Sequence, residues 1–145
     1  GLAAERLDLE ITESVLLQDE ANTLAILHQL REIGVRISMD DFGTGYSSLA
    51  YLRNFPFDRI KIDRSFVRDM LVRKDCRAIV RAVVGLARSL GITTIIEGVE
   101  TKEQLETAQA DGCDLGQGYI FSKPMPEREI TAFLAKRERT AAAAA

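Results

Sequence analysis

Short runs of alternating or continuous apolar residues are interleaved with longer stretches of helical spacing along most of the chain. The first run, Leu7-Asp8-Leu9-Glu10-Ile11, alternates apolar and acidic positions as a half-buried strand does. From about Asp19 to Ile33, Leu24, Leu27, Leu30 and Ile33 recur at three-residue spacing and Gly34 follows as a stop, which predicts a helix. Arg36 to Asp40 reads as a second strand, followed by a glycine-containing loop, a short helix near Ser48 to Leu52, and a third strand from Arg59 to Asp63. A long helix over about Lys74 to Leu90, ended by Gly91, precedes a strand from Thr93 to Glu97. A helix from Lys102 to Ala110 ended by Gly112, a short strand around Gly116 to Tyr119, and a last helix from about Pro126 to Arg139 complete the order. Strands and helices in this alternation predict an α/β fold with a parallel sheet. A whole (β/α)8 barrel takes about 250 residues, so five strands in 145 residues match a partial TIM-like barrel, about its last five β/α units. An open parallel sheet of five strands has the same periodicity and stays open as a rival.

Composition narrows the class. With 46% hydrophobic and 28% charged residues the chain suits one globular domain with a sizeable core, taken as residues 1–140. Ala141 to Ala145 read as a non-native tail. No apolar run is long enough to span a bilayer and the first residues lack a secretory layout, so the expected location is cytoplasmic. Cys76 and Cys113 are too few for a disulfide framework and form no zinc pattern, and both read as buried thiols. The formal net charge of -3 argues against a nucleic-acid polymer as partner, because such surfaces need clustered Lys and Arg to replace counterions. A phosphate ligand would therefore need positive charge from elsewhere, and a bound metal is the natural source.

The candidate chemistry lies at the ends of the strands. Glu10 closes the first, Asp40 and Asp41 the second, Lys61 and Asp63 the third, Glu97 the fourth, and Gln117 lies in the fifth. Barrel enzymes gather catalytic groups at the carboxyl ends of their strands, so these residues would meet at one mouth. Carboxylates forced together repel and lose hydration, which a bound cation offsets. An all-oxygen set favours magnesium or manganese over zinc. His28, the single histidine, falls inside the first helical pattern and receives no role. Each element also has an ordinary explanation, such as an outward-facing Glu10 or Lys61, a turn at Asp40-Asp41, or helix first-turn acids at Glu97 and Glu100; their joint occurrence at successive strand ends favours a site.

The ordered segments Glu10-Ile11-Thr12-Glu13, Asp40-Asp41-Phe42-Gly43-Thr44-Gly45-Tyr46-Ser47-Ser48-Leu49, Pro56-Phe57-Asp58-Arg59-Ile60-Lys61-Ile62-Asp63, Glu97-Gly98-Val99-Glu100-Thr101 and Gln117-Gly118-Tyr119-Ile120-Phe121-Ser122-Lys123-Pro124 resemble the successive signatures of EAL domains. The resemblance runs from Leu7 to Leu134. It implies a divergent (β/α)8 barrel that hydrolyses cyclic di-GMP to linear pGpG with magnesium or manganese, two ions in all. It further implies that Glu10, Asp40 and Asp41 hold metal and that Lys61 orients the attacking water. Asp63 would support Lys61, Glu97 would act with the metals or their water, and Gln117 would lie beside water or phosphate. Glu13, Gly43 and Gly45 would support the loop that carries Asp41. The Glu-Ala-Leu motif and the arginine and asparagine expected after it are absent, which leaves the metal set incomplete within this chain. A partial barrel exposes sheet edges and its apolar interior, so a homo-oligomer or a fragment of a longer chain is expected. The alternatives to an active enzyme are a cyclic di-GMP receptor without turnover, or a dimerisation fragment.

Overall fold

The computed structural model describes the chain except residues 17–18, 45–48 and 144–145, and leaves the side chains of residues 13, 49–50 and 137–143 undescribed. Five strands, β1 (Asp8–Thr12), β2 (Arg36–Phe42), β3 (Arg59–Ile62), β4 (Thr93–Ile96) and β5 (Leu115–Gly116), form one parallel sheet in the order β1-β2-β3-β4-β5. The strand order equals the chain order, with no reversal. Right-handed crossovers that always step the same way place their helices on one face, as around a barrel wall, whereas a doubly wound open sheet reverses its order partway. The structure therefore resolves the rivalry in favour of a segment of barrel wall.

Register explains how the two faces differ. Parallel neighbours in register share a face, and successive residues alternate. Ile37, Met39, Ile60, Ile62, Thr94 and Ile96 are all almost wholly buried. All but the polar Thr94 join Leu16, Leu27, Val67, Val80 and Val84 from the helices in a single core. The opposite face carries Asp8 and Glu10 on β1, Ser38 and Asp40 on β2, and Arg59 and Lys61 on β3. In a closed barrel this is the inward face.

The helices are α1 (Glu13–Leu16), α2 (Glu20–Glu32), α3 (Leu49–Asn54), α4 (Arg64–Asp69), α5 (Lys74–Leu90), α6 (Lys102–Ala110) and α7 (Glu127–Ala143). The amphipathic α5 buries Cys76, Val80, Val83, Val84 and Ala87 along one stripe and stops at Gly91, whose φ of 71° is left-handed. Asp19 caps α2 by accepting from the Asn22 N–H, and Thr101 with Gln104 forms a capping box on α6.

Three departures from the sequence expectations have physical causes. The short helices α1 and α4 were not foreseen, since four and six residues are too few to show a helical period. The fifth strand is only Leu115–Gly116, so Gln117 lies just past it rather than within it. Cys76 is buried as expected, but Cys113 is only half-buried; burial is still sufficient to push its thiol up to about 11.

Candidate active site

Lys61 stands at the centre of the inward face. It is 3% exposed, and its Nζ lies 2.7 Å from Glu10 Oε2, 2.9 Å from Asp40 Oδ1 and 2.7 Å from Glu97 Oε1. Three carboxylates from β1, β2 and the residue after β4 thus converge on one ammonium. Burial would lower the Lys61 pKa, yet the contacts with Glu10, Glu97 and Asp40 prevail and hold it above its ordinary value. Glu97 is displaced the other way from most acids: burial raises its pKa, Lys61 opposes this, and the charges of Asp40 and Glu10 add to the rise.

Asp40 and Asp41 are consecutive, and in a regular strand their side chains would point to opposite faces. The ladder between β2 and β3 breaks here. Met39 pairs with Ile60 and Phe42 with Ile62, so two residues of β2 stand where β3 has one. Asp41 takes a left-handed φ of 53°, the one such non-glycine residue among those described. With that bulge, oxygens of Asp40, Asp41 and Glu97 all come within 4.8 Å of one another. Strain of this kind persists where the surroundings over-determine it, and it is frequent at functional positions.

The donor set fits a divalent cation. Asp40 Oδ1 is buried and, although close to Lys61 Nζ, has no hydrogen bond of acceptable geometry. Lys61 gives one positive charge to three carboxylates, and the negative charge left over is costly unless a further cation offsets it. Asp40, Asp41 and Glu97 offer oxygen alone, which suits a hard cation.

The remaining expected residues are placed as follows. Asp63 caps α4, accepting from the Ser65 N–H at 2.9 Å. Burial would raise its pKa, but the Ser65 and Arg64 hydrogen bonds and the Arg64 charge hold it below the usual carboxylate value. Gln117 extends the sheet through its backbone, donating to Ile96 O and accepting from Val99 N. The residue lines a separate, mainly apolar cleft with Tyr119, Phe121 and Leu134, whose lining includes none of Glu10, Asp40, Lys61 and Glu97. Glu13 begins α1 directly after β1, with its side chain outside the described residues. Gly43 has a φ of +96°, and a Cβ there would meet Phe66 of α4 at 2.9 Å, so only glycine suits both the turn and the contact. Gly45 lies outside the described residues. His28 sits exposed on α2.

Two features escaped the sequence reading. Beneath the cluster, Asp8 accepts from Ser38 Oγ at 2.6 Å and pairs with Arg59, forming a second polar layer on the same face. The alternation of Asp8 with Glu10 and of Arg59 with Lys61 was its signal. Gln104 is the other: it is buried, and the spacing Thr101-x-x-Gln104 is a capping signature that pointed to it.

Comparison with known proteins assigns the family. The EAL domain model matches residues 1–124. The chain belongs to the EAL domain family. The cyclic di-GMP phosphodiesterase NbdA of Pseudomonas aeruginosa is 46% identical over 134 residues, covering 92% of this chain and 17% of NbdA. Among solved structures, the PaMucR phosphodiesterase in its c-di-GMP complex superposes with a TM-score of 0.84 at 45% identity, over 89% of this chain and 52% of that one. The manganese and cy-diGMP complex of Klebsiella pneumoniae BlrP1 superposes with a TM-score of 0.79 at 39% identity, over 85% of this chain and 31% of that one. The chain thus spans about a sixth of NbdA and about half of the PaMucR structure. The five parallel strands of this EAL chain correspond to part of the TIM-barrel domain of those neighbours.

Proposed function

We propose that this chain supplies the carboxyl-terminal part of a metal-dependent phosphodiesterase that hydrolyses cyclic di-GMP to linear pGpG. The observation that carries the reading is the convergence of Glu10, Asp40 and Glu97 on a buried Lys61, with oxygens of Asp40, Asp41 and Glu97 within 4.8 Å of one another. The phosphodiesterase relatives and the cyclic di-GMP complexes of similar structures support it. Glu10, Asp40 and Asp41 would hold magnesium or manganese, two ions in all, with Glu97 beside them. When bound, the ions lower the pKa of a water and stabilise charge on the phosphoryl oxygens.

The protein groups have distinct tasks. In the reaction water adds to one phosphorus, one P–O ester bond breaks, and the leaving oxygen takes a proton. Lys61, cationic at any neutral pH given its raised pKa, orients the water and steadies negative charge on the phosphoryl group. Asp63, through the β3-to-α4 junction, fixes the backbone that follows Lys61. Gly43 and, by the family resemblance, Glu13 and Gly45 would support the loop that carries Asp41, and Gln117 would meet water or phosphate from the neighbouring cleft that it lines. A signalling nucleotide as substrate would put the protein in the cytoplasm. No helix among the described residues is long and apolar enough to cross a membrane.

The test is turnover of cyclic di-GMP by the intact protein with manganese. Lys61→Ala and Asp40→Ala should each lower kcat by roughly 100-fold or more. Undiminished turnover in both would overturn the assignment, and tight nucleotide binding without linear product would favour a receptor.

A further inference from the structure

Glu97 sits on a loop, and its carboxylate meets Lys61 only if that loop is held still. The loop from Glu97 to Thr101 is tied to the sheet at its start, where the Glu97 N–H donates to Ile62 O at 3.1 Å. Its middle is pinned by Val99, whose N–H donates to Gln117 O at 3.1 Å and whose carbonyl accepts from the Ile120 N–H at 3.0 Å. The side chain of Gln104 holds the end that follows. Gln104 Oε1 accepts from the Glu100 N–H at 2.8 Å and from the Thr101 N–H at 3.0 Å. The opposite end of the same carboxamide, Nε2, donates to Val67 O in α4 at 3.4 Å. A single buried amide therefore joins the loop that follows Glu97 to a helix thirty-seven positions away in sequence. Gly98 shows how closely loop and helix approach, since a Cβ there would fall 2.5 Å from Arg64 Cβ.

From this geometry we propose that Gln104 is a positioning residue for Glu97, acting as a clamp between the Glu97–Thr101 loop and α4. The proposal rests on the reading that the acidic rim holds a divalent cation. The amide is suited to the task because its two ends differ. The oxygen satisfies two loop N–H groups while the nitrogen satisfies a helix carbonyl, and no other side chain of this length carries a neutral acceptor and a donor. Gln104→Glu separates the two halves: it keeps an acceptor for the loop and sets a second oxygen against Val67 O, so the loop cap survives and the tie to α4 does not. Gln104→Met removes both while keeping the length. Thr101→Ala weakens the same helix cap from the other side and leaves the Gln104 clamp in place.

The test measures manganese binding alone by calorimetry on the intact protein, together with amide hydrogen exchange. Gln104→Glu and Gln104→Met should each bind manganese about tenfold more weakly than wild type, and Thr101→Ala should bind as wild type does. Their Glu97 amide, beyond the direct reach of Gln104, should exchange faster. Wild-type affinity in both Gln104 variants overturns the proposal, as does an equal loss in Thr101→Ala, which would mark a general effect of helix stability. Should wild type bind no manganese, the reading of the rim fails separately. The exchange data then decide the clamp: faster exchange at Glu97 in Gln104→Met supports it, and unchanged exchange overturns it.

Discussion

Lys61 brings a positive charge into a space otherwise given to carboxylates, and its removal leaves three like charges facing one another. Breaking a buried ionic cluster by deleting one partner costs about 3 kcal/mol or more, so metal-free Lys61→Met should unfold at a clearly lower urea midpoint than wild type. Asp63 poses a different question, because its observed role is a helix cap and its proposed role is to support Lys61. Serine also caps helices well, so Asp63→Ser should stay within roughly 0.5 kcal/mol of wild type in urea unfolding at neutral pH. A loss of turnover in that variant would show that the carboxylate supports Lys61 beyond its capping, and unchanged turnover would leave Asp63 a cap alone. The acid limb separates the two proteins further. The folded Asp63 pKa lies below its ordinary 3.8; its contribution is therefore complete above that value and lost as the pH falls through the folded pKa. Asp63→Ser should lack this part of the acid-induced loss of stability.

At the scale of elements, two glycines with similar left-handed backbones isolate the contact between α4 and the Glu97 loop. Gly91 ends α5 with φ 71° and open space around its Cα, whereas Gly98 has φ 65° and Arg64 against it. Gly91→Ala should cost about 1 kcal/mol, from backbone conformation alone. Gly98→Ala should cost at least about 1 kcal/mol more, from the steric overlap, and thermal unfolding of the two variants checks the difference. The elements also show what sequence can reveal. The long helices were legible because their apolar stripes and glycine stops are local, and α5 and α6 fall where expected, Lys74–Leu90 and Lys102–Ala110. Strand ends carrying Glu10, Asp40, Lys61 and Glu97 were legible because a parallel sheet aligns them. The bulge that turns Asp41 beside Asp40 was not, because it depends on one backbone angle. The bridge from Gln104 to Val67 was hidden for a related reason: a capping signature is local, but its second partner is not.

On the scale of the molecule, the sheet is a strip of barrel wall with β1 and β5 as its outer strands among the described residues. Its inward face is polar and partly open, and Leu115, Tyr119, Ile130 and Leu134 are exposed near its carboxyl end. Open strand edges and uncovered apolar groups favour association. The 145-residue chain by itself should therefore sediment as a self-associated species, and a stable, soluble monomer would contradict this.

All of these scales meet in the acidic rim around Lys61. Manganese titration of the intact protein, followed by the loss of the free-ion paramagnetic resonance signal, examines it most directly. The expected result is saturable binding that weakens by tenfold or more in Asp40→Asn. Equal binding by wild type and Asp40→Asn, or no binding by either, would show that the carboxylates gathered at Lys61 are not a cation site.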